Sequence, residues 1–479
     1  PTLGGTLDMG LLVEPPGLDP FHQAADARIR VSLLMYQGLF YEGATGEAIP
    51  LLAESYDISD DGLVYTVKLR DGVKFHTGQD MTAEDVAYSY NYIRDAENGS
   101  PGAGDFAIIE SVEAIDPSTV RFTLSSPNAS LPMTLGNKYG AVVPAGYFDD
   151  ENARNRMNAE SVGTGPFRLV EFNPNSNLVV EKFEDYWEDG APYLDEINFS
   201  FLPNSASMLV ALKNDRIDLV KLERPQDVQQ VESVEGLEIE RWPSLNQKPI
   251  DLGSEQKPLD DVRVRQEIKN AAVGDYGEVI GTMVAGMQDT WGVPMDQLPN
   301  MSRDVEKAKA LLAEAGHPDG FDLKLTIING YDWMDPAAVT LKEQLADIGI
   351  NLSIERVDLG VWINNFRTRQ MGFTFNDWAT QPDPNLLFYR HFHKQPEGAD
   401  FRNWNNDEAS ALLDQGRAES DPEKRKEIYA KFQQVMAETV PTIMLFSADH
   451  VTARDQDVKN FTQHPTGWYY GLVRTYIDQ

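Results

Sequence analysis

Cysteine is absent from all 479 residues, and basic side chains are far fewer than acidic ones. Without cysteine the protein has no disulfide, thiolate metal site, iron–sulfur cluster or cysteine nucleophile. The 41 lysine and arginine residues stand against 76 aspartate and glutamate residues, which gives a formal charge of −35. Because nucleic acids and anionic membranes bind proteins through clustered positive charge, this balance argues against both as partners.

Long apolar runs are also missing, since no stretch reaches the roughly 18 hydrophobic residues of a membrane-spanning helix. Residues 1–5 lack the basic and then apolar pattern of a secretion leader. We therefore expect either a cytosolic protein or the mature form of an exported one. The composition, with 41% hydrophobic and 24% charged residues, is that of a folded protein, and the length predicts about three domains or sub-domains.

The first half of the chain alternates strand and helix patterns. Residues 63–70 and 120–124 alternate apolar and polar side chains, which predicts strands with one buried face. Between them, Thr82 and Asp85 have the spacing of a capping box and predict the start of a helix. Further strands are predicted at 167–172, 177–183, 197–201, 442–446 and 473–477. The fold class is therefore mixed α and β.

Long amphipathic helices dominate from about residue 258 onward. Apolar residues keep a helical period over 305–315, where Gly316 then predicts the helix end, and over 428–436, which follows the helix-starting pair Asp421-Pro422. Strand-like runs return near the end of the chain. This order indicates two lobes, with the chain crossing into the second and back.

Nine short motifs follow one another along the chain. They are Glu-Pro-Pro-Gly-Leu-Asp-Pro (14–20), Leu-Leu-Ala-Glu-Ser-Tyr (51–56), Asp-Asp-Gly-Leu (60–63), Leu-Arg-Asp-Gly-Val-Lys-Phe-His (69–76), Thr-Ala-Glu-Asp-Val (82–86), Gly-Thr-Gly-Pro-Phe (163–167), Pro-Leu-Asp-Asp-Val-Arg-Val-Arg (258–265), Ala-Lys-Ala-Leu-Leu-Ala-Glu-Ala-Gly (308–316) and Asp-Pro (383–384). From residue 4 to beyond residue 446, the sequence closely resembles the family 5 extracellular solute-binding proteins, the peptide, opine and nickel receptors of ABC importers.

The resemblance implies an α/β protein with the two-lobe clamshell of type II periplasmic binding proteins and an extra sub-domain in lobe one. The chain would cross between lobes near Lys248 and Phe446, and these crossings would form the hinge. The expected boundaries are 1–247 and 447–479 for lobe one, about 36–160 for its extra sub-domain, and 248–446 for lobe two.

The resemblance also implies binding rather than catalysis, with the ligand held between lobes and the closed form recognised by a membrane permease. We expect a periplasmic substrate-binding protein in its mature exported form, without metal or cofactor. The expected partners are a small-molecule ligand and ABC permease subunits. Nucleic acid is not expected as a partner, and the protein is expected to be a monomer.

The residues that would bind the ends of a dipeptide differ from the family pattern. Dipeptide receptors hold the ligand ammonium with an Asp three residues before an Asp-Pro pair, here Asp383-Pro384, and the counted position is Thr380. A hydroxyl cannot neutralise a buried ammonium, and Asp377 would replace it only if the loop changes register. The loop 328–335, where the family places a carboxylate-binding Arg, has no Arg or Lys.

Aromatic surface and neutral hydrogen bonds are therefore expected to recognise the ligand. The first reading is a peptide-like or opine-like solute. The alternative is an oligosaccharide or other neutral ring-bearing solute, and a remote one is a secreted hydrolase, for which no Gly-x-Ser-x-Gly or His-Glu-x-x-His motif is present. The expected ligand-binding residues are Glu14, Asn137, Lys138, Tyr139, Tyr331, Trp333, Trp378, Thr380, Asp383 and Trp404.

Several of these candidates also have a structural interpretation. Trp333, Trp378 and Trp404 could equally be core residues, and Lys138 a solvated loop charge. Outside that set, Arg367 and Arg369 could hold an anion but are more typical of a helix end. The pair His391 and His393 would share a face on a strand and resemble a metal site, although two histidines without a third ligand favour ordinary polar residues after a helix.

Overall fold

The computed structural model describes residues 3–23, 25–272, 282–283, 285–331, 333–368, 370–378, 381–394 and 404–478, apart from the side chains of residues 26, 225, 285 and 367. The chain forms two compact units. Unit 1 comprises Pro1–Trp242 and Asp449–Gln479, and unit 2 comprises Pro243–Ala448. The chain thus enters unit 2 after Trp242 and leaves it after Ala448.

Strands occur in both units, with β13 to β17 in unit 2 and the others in unit 1. They are β1 (Thr6–Leu11), β2 (Phe40–Glu42), β3 (Ala48–Pro50), β4 (Ala53–Ile58), β5 (Val64–Leu69), β6 (Ile109–Asp116), β7 (Thr119–Leu124), β8 (Phe167–Asn173), β9 (Asn177–Lys182), β10 (Glu196–Phe201), β11 (Leu219–Leu222), β12 (Leu237–Trp242), β13 (Gln247–Leu252), β14 (Asp322–Ile328), β15 (Asn351–Val357), β16 (Phe373–Phe375), β17 (Thr442–Ser447), β18 (His450–Asp455), β19 (Val458–Lys459) and β20 (Tyr476–Ile477).

The longer helices lie mostly in unit 2. In chain order they are α1 (Asp26–Ser32), α2 (Ala83–Arg94), α3 (Leu131–Leu135), α4 (Ala153–Arg156), α5 (Ser205–Lys213), α6 (Pro225–Val231), α7 (Val262–Ala272), α8 (Gln288–Trp291), α9 (Val305–Glu314), α10 (Met334–Ala346), α11 (Leu359–Arg367), α12 (Pro384–Phe392), α13 (Asp407–Ala418) and α14 (Pro422–Thr439). Within the described ranges, no helix combines the length and the apolar character needed to cross a membrane.

Unit 1 is built on a seven-stranded mixed sheet in the order β12-β18-β11-β1-β10-β9-β8. The central strand β1 runs parallel to both β10 and β11, whereas the outer strands pair in antiparallel fashion. Leu7, Ile197 and Leu219 on these three strands are fully buried in the main core. The carboxyl ends of β1, β10 and β11 therefore meet at one edge of the sheet.

A second, four-stranded antiparallel sheet in unit 1 has the order β4-β5-β7-β6 and packs against α2. Its residues fall within the segment 36–160, where the sequence predicts an extra sub-domain. The predicted capping box is confirmed at the start of α2, because the Thr82 N–H donates to Asp85 Oδ2 at 2.7 Å. The alternating patterns at 63–70 and 120–124 are confirmed as β5 and β7.

Unit 2 is built on a five-stranded sheet in the order β15-β14-β16-β13-β17. Strand β14 runs parallel to β15 and β16, and β13 runs antiparallel to both of its neighbours, β16 and β17. Every residue of β13 is buried. The carboxyl ends of β14, β15, β16 and β17 thus lie at the same edge of the sheet as the beginning of β13, and we call this the carboxyl edge of unit 2.

One local prediction is corrected by the structure. Residues 473–477 do not form one strand, because Val473 belongs to the 3-10 turn Tyr470–Arg474 and pairing with β19 is limited to Tyr476–Ile477. His391 lies in the last turn of α12 and His393 caps that helix, in agreement with the favoured interpretation of polar residues at the end of a helix. The strand geometry that would have placed both imidazoles on one face is therefore absent.

His450, at the start of β18, is 3% exposed. Burial, reinforced by the positive charge of Lys221, lowers its pKa to about 3. Its Nε2 lies 3.0 Å from the Pro465 carbonyl oxygen, to which the neutral ring donates. The histidine is therefore neutral in the folded protein well below the pH at which it would gain a proton in the unfolded chain.

We expect His450 to make stability depend on pH. Its contribution is complete above about pH 6.5 and is lost as the pH falls, because the unfolded state then binds a proton that the folded state excludes. The loss should reach roughly 2 kcal/mol by about pH 5. Urea unfolding of wild type and H450Q at a series of pH values should show a shallower dependence in the variant. The matched control H317Q, at a partly exposed histidine, should follow wild type, and equal slopes for H450Q and wild type would contradict the prediction.

Candidate functional site

The carboxyl edge of unit 2 gathers residues from four strands. In sheets with parallel strands, the loops after the carboxyl ends hold the usual ligand sites. Here Tyr331 and Trp333 follow β14, Asp377 follows β16, Phe446 lies near the end of β17, and Lys248 is the second residue of β13. Side chains far apart in the sequence are thus brought to one place.

Trp333 is held by aromatic neighbours from two strands. Its ring stacks on Phe375 with centroids 5.2 Å apart and meets the edge of Phe446 at 5.7 Å. Lys248 Nζ lies 5.6 Å from the Trp333 ring centroid, within range of a cation–π contact. Trp333 is partly exposed, so it is a rigid aromatic surface that remains accessible.

Lys248 and Asp377 form the ion pair of this edge, with Nζ 2.5 Å from Oδ2. The two strands place them opposite one another, since the β13 and β16 register continues to a bridge between Gln247 and Trp378. The Lys248 side chain is 10% exposed and that of Asp377 is 28% exposed. The carboxylate is therefore the more accessible partner of the pair.

Tyr331 completes this cluster. Its partial burial raises its pKa, and the nearby negative charge of Asp377 raises it further. The loop after β16 is fixed by its own polar contacts, because the Asp377 N–H donates to Asn376 Oδ1 and Asn376 Nδ2 donates to Asp251 Oδ2, both at 2.8 Å. We call Tyr331, Trp333, Lys248 and Asp377 the edge cluster.

Trp378 and Trp404 are buried against α12. Trp378 is 3% exposed and stacks on His391 with ring centroids 4.3 Å apart and planes within 5°. Trp404 is 9% exposed and meets Phe392 edge-on at 6.0 Å. Both lie in the same apolar cluster, so their described contacts are those of core residues, in contrast to Trp333.

Asp383 is fixed by two internal roles. Its side chain caps α12 by accepting from the backbone N–H groups of Asn385 and Leu386, at 2.8 and 3.2 Å. It also pairs with Arg425, with Nη1 2.9 Å from Oδ2, and the two side chains are 1% and 8% exposed. Thr380, the position counted from this Asp-Pro pair, lies outside the described residues.

In unit 1, three of the candidate residues lie in the loop that follows α3. Asn137, 3% exposed, accepts from the Tyr139 N–H at 2.9 Å and donates to Asp105 Oδ2 at 3.2 Å. Tyr139 is 4% exposed. Lys138 is partly exposed, and its Nζ lies 5.3 Å from the Tyr139 ring centroid. Of the three, Lys138 is the side chain that remains partly open to solvent.

Glu14 lies after the carboxyl end of β1. It borders a cavity of about 360 Å³ lined by prolines 15, 16 and 174 together with Phe172 and Asn158. The Asn175 N–H donates to Glu14 Oε2 at 2.9 Å. This carboxylate therefore lines a small cavity of mixed polar and apolar character at the carboxyl edge of the unit 1 sheet.

Lys248 was expected at a crossing between lobes and not as a ligand-binding residue. Asp377 was expected to bind a ligand ammonium only if its loop changes register. In the sequence, Lys248 stands out only as a charged residue near the start of the strand β13. Its pairing with Asp377 depends on β13 and β16 being neighbours, although 129 residues separate the two side chains. That adjacency is not encoded in any local pattern.

A model of the family described as "Bacterial extracellular solute-binding proteins, family 5 Middle" matches residues 47–399. The chain belongs to this family. The match confirms the resemblance that the sequence motifs indicate. Family 5 proteins are substrate-binding proteins of ABC importers that act outside the cytoplasm, which is the function class expected for this chain.

Relatives of known ligand agree with membership in family 5. The dipeptide-binding protein of Escherichia coli (strain K12) is 26% identical over 460 residues, which cover 89% of this chain and 86% of that protein. The peptide-bound DppA structure from Helicobacter pylori, in complex with the peptide STSA, has a TM-score of 0.80 at 26% identity and covers 100% of this chain and 99% of its own. AgaA from A. tumefacien R10, in complex with agropinic acid, has a TM-score of 0.78 at 27% identity, covering 99% of both chains.

The expected fold class is confirmed by these structures: the chain has the α/β, two-lobe, type II fold of family 5 binding proteins. The expected ligand-binding residues of unit 2 fall into two groups. Trp333 and Tyr331 lie at the carboxyl edge of unit 2 beside a charged pair, whereas Trp378, Asp383 and Trp404 are buried within unit 2.

We expect Asp383 to be a stability residue. D383N removes the carboxylate from Arg425, which is buried, and an uncompensated buried charge should lower the free energy of unfolding by about 3–5 kcal/mol. The matched control is E306Q, which removes the partner of Lys309 from an exposed pair at 3.4 Å and should cost at most about 0.5 kcal/mol. Urea unfolding measures both, and a loss as small for D383N as for E306Q would refute the assignment.

Proposed function

We propose that this protein captures a peptide-like or opine-like solute and delivers it to the permease of an ABC importer. The edge cluster carries the proposal. It combines one partly exposed aromatic face with a neutralised ion pair at the carboxyl edge, where ligands of such sheets bind. The relatives that bind a dipeptide, the peptide STSA and agropinic acid support this class of solute.

The edge cluster fits solutes that carry planar amide groups beside apolar side chains. An amide or apolar side chain can stack on Trp333, whose ring is already fixed by Phe375 and Phe446 and loses little freedom on binding. Tyr331 adds a hydroxyl that donates or accepts a hydrogen bond. Glu14 and Lys138 are proposed as ligand-binding residues of unit 1, because both are partly exposed.

A neutral ring-bearing solute remains the second candidate, supported by the same aromatic face of Trp333. Sugar receptors usually present several stacking platforms, and the burial of Trp378 and Trp404 leaves fewer of them. The peptide-like reading is therefore preferred. We also propose that the protein acts outside the cytoplasm as a monomer without catalytic activity, in keeping with its family.

A thermal-shift screen tests the ligand class. The screen should contain free dipeptides, tripeptides blocked at one or both ends, opines, oligosaccharides and metal ions, because a ligand that binds the native state raises the melting temperature by mass action. We expect the largest rises from blocked peptides or opines. Mass spectrometry of the recovered ligand should show it intact. A response confined to oligosaccharides or metal ions would overturn the proposed class, and chemical turnover would overturn the binding role.

Trp333 should contribute to affinity and Trp404 to stability. For the best ligand of the screen, we expect W333A to raise the Kd about tenfold or more and W333F to retain most of the affinity, since the phenyl ring preserves stacking. The matched control W404F should lower the melting temperature while leaving Kd within about twofold. Isothermal titration calorimetry gives both constants. An unchanged Kd in W333A would remove Trp333 from the site.

A further inference from the structure

The ion pair of the edge cluster is enclosed on the lysine side. Lys248 contacts the Asp377 carboxylate at 2.5 Å and the Trp333 ring face at 5.6 Å, and its side chain is 10% exposed. Asp377 is more accessible at 28%. A ligand at this edge therefore meets a carboxylate whose charge is already balanced and an ammonium that is already covered.

Other charges around the edge cluster are engaged within unit 2. Asp251, the fifth residue of β13, is fully buried and accepts from Asn376, while Asp358 accepts from Asn329 Nδ2 at 2.9 Å. Asp335 pairs with Arg356 at 2.6 Å. Within the described part of this edge, the Lys248–Asp377 pair is therefore the charged element that stands directly beside the aromatic surface of Trp333.

We propose that the Lys248–Asp377 pair sets the charge selectivity of the site, favouring solute groups that are polar but carry no net charge. This inference rests on the proposed function. A ligand ammonium competes with Lys248 for Asp377, and a ligand carboxylate competes with Asp377 for Lys248. Either exchange leaves one buried or partly buried partner uncompensated, whereas an amide dipole satisfies both partners without separating them.

Removing the charge of Asp377 or that of Lys248 should change the ligand-charge preference in opposite directions. D377N keeps the shape of the side chain and leaves Lys248 as an uncompensated cation beside Trp333, so anionic ligands should gain. K248M keeps an unbranched side chain of similar length against Trp333 and leaves Asp377 as an uncompensated anion, so cationic ligands should gain. The double variant K248M/D377N carries no charge at either position and should show neither the shift towards anions nor the shift towards cations.

The test uses one tripeptide, Ala-Phe-Ala, in three forms: blocked at both ends, acetylated at the amino end only, and amidated at the carboxyl end only. These carry charges of zero, −1 and +1. Isothermal titration calorimetry on the full chain gives a Kd for each form. We expect wild type to prefer the doubly blocked form at least tenfold. D377N should shift the ratio at least tenfold towards the anion, and K248M at least tenfold towards the cation.

Matched controls lie in the same unit. D347N removes the carboxylate of an exposed pair with Arg303, at 2.7 Å, and K309M removes the lysine of another exposed pair. Neither should alter the ranking of the three forms. Should one single variant fail to fold, the other single variant still tests the proposal, because each is expected to shift the preference by itself and in its own direction.

The outcomes separate two kinds of failure. If wild type binds none of the three forms, the peptide-like ligand class itself is wrong, and the inference is lost with it. If wild type binds them without preference for the neutral form, or if D377N and K248M keep the wild-type ranking, the charge role of the pair is overturned while the receptor function stands.

Discussion

The antiparallel pairing of β13 with both β16 and β17 is the constraint on which the candidate site depends. The first strand of unit 2 and its last strand are neighbours, with Lys248 opposite Phe446. The other side of β13 faces β16, which brings Asp377 to the same lysine. One buried strand thus sets the positions of the Lys248–Asp377 ion pair, the aromatic side chains around Trp333, and the loops that follow β14 and β16. Without that strand order, these groups would be isolated side chains on separate loops.

Local patterns predicted the parts of the fold whose causes are local. The alternation at 63–70 and the capping box at Thr82 and Asp85 were sufficient to identify β5 and the start of α2, because strand faces and helix caps depend on residues only a few positions apart. The pairing of Lys248 with Asp377 was not predictable in the same way, since it depends on sheet order. The stacking of Trp378 on His391 was not predictable either, since it depends on the packing of the loop after β16 against α12.

The candidate site shows the same division between local and long-range information. Sequence identified Trp333, Trp378 and Trp404 as one set, with each able to bind ligand or to fill the core. The structure separates them by what they pack against. Trp378 and Trp404 are buried against α12, whereas Trp333 follows β14 and is partly exposed. Asp383 shows that a residue of a family motif can have a structural role. Here it caps α12 and pairs with Arg425.

Trp333 has a further consequence that follows from its surroundings. The emission of an indole responds to charges placed over its ring, and here the nearest ammonium, that of Lys248, lies 5.6 Å from the ring centroid. The chain has eight tryptophans, and among the three compared above the other two, Trp378 and Trp404, are buried. A solute that displaces water or moves Lys248 at this edge would shift the emission maximum of Trp333 more than the emission maxima of Trp378 and Trp404. The protein therefore carries an intrinsic optical reporter, which needs no attached dye, at the place where its ligand is proposed to bind.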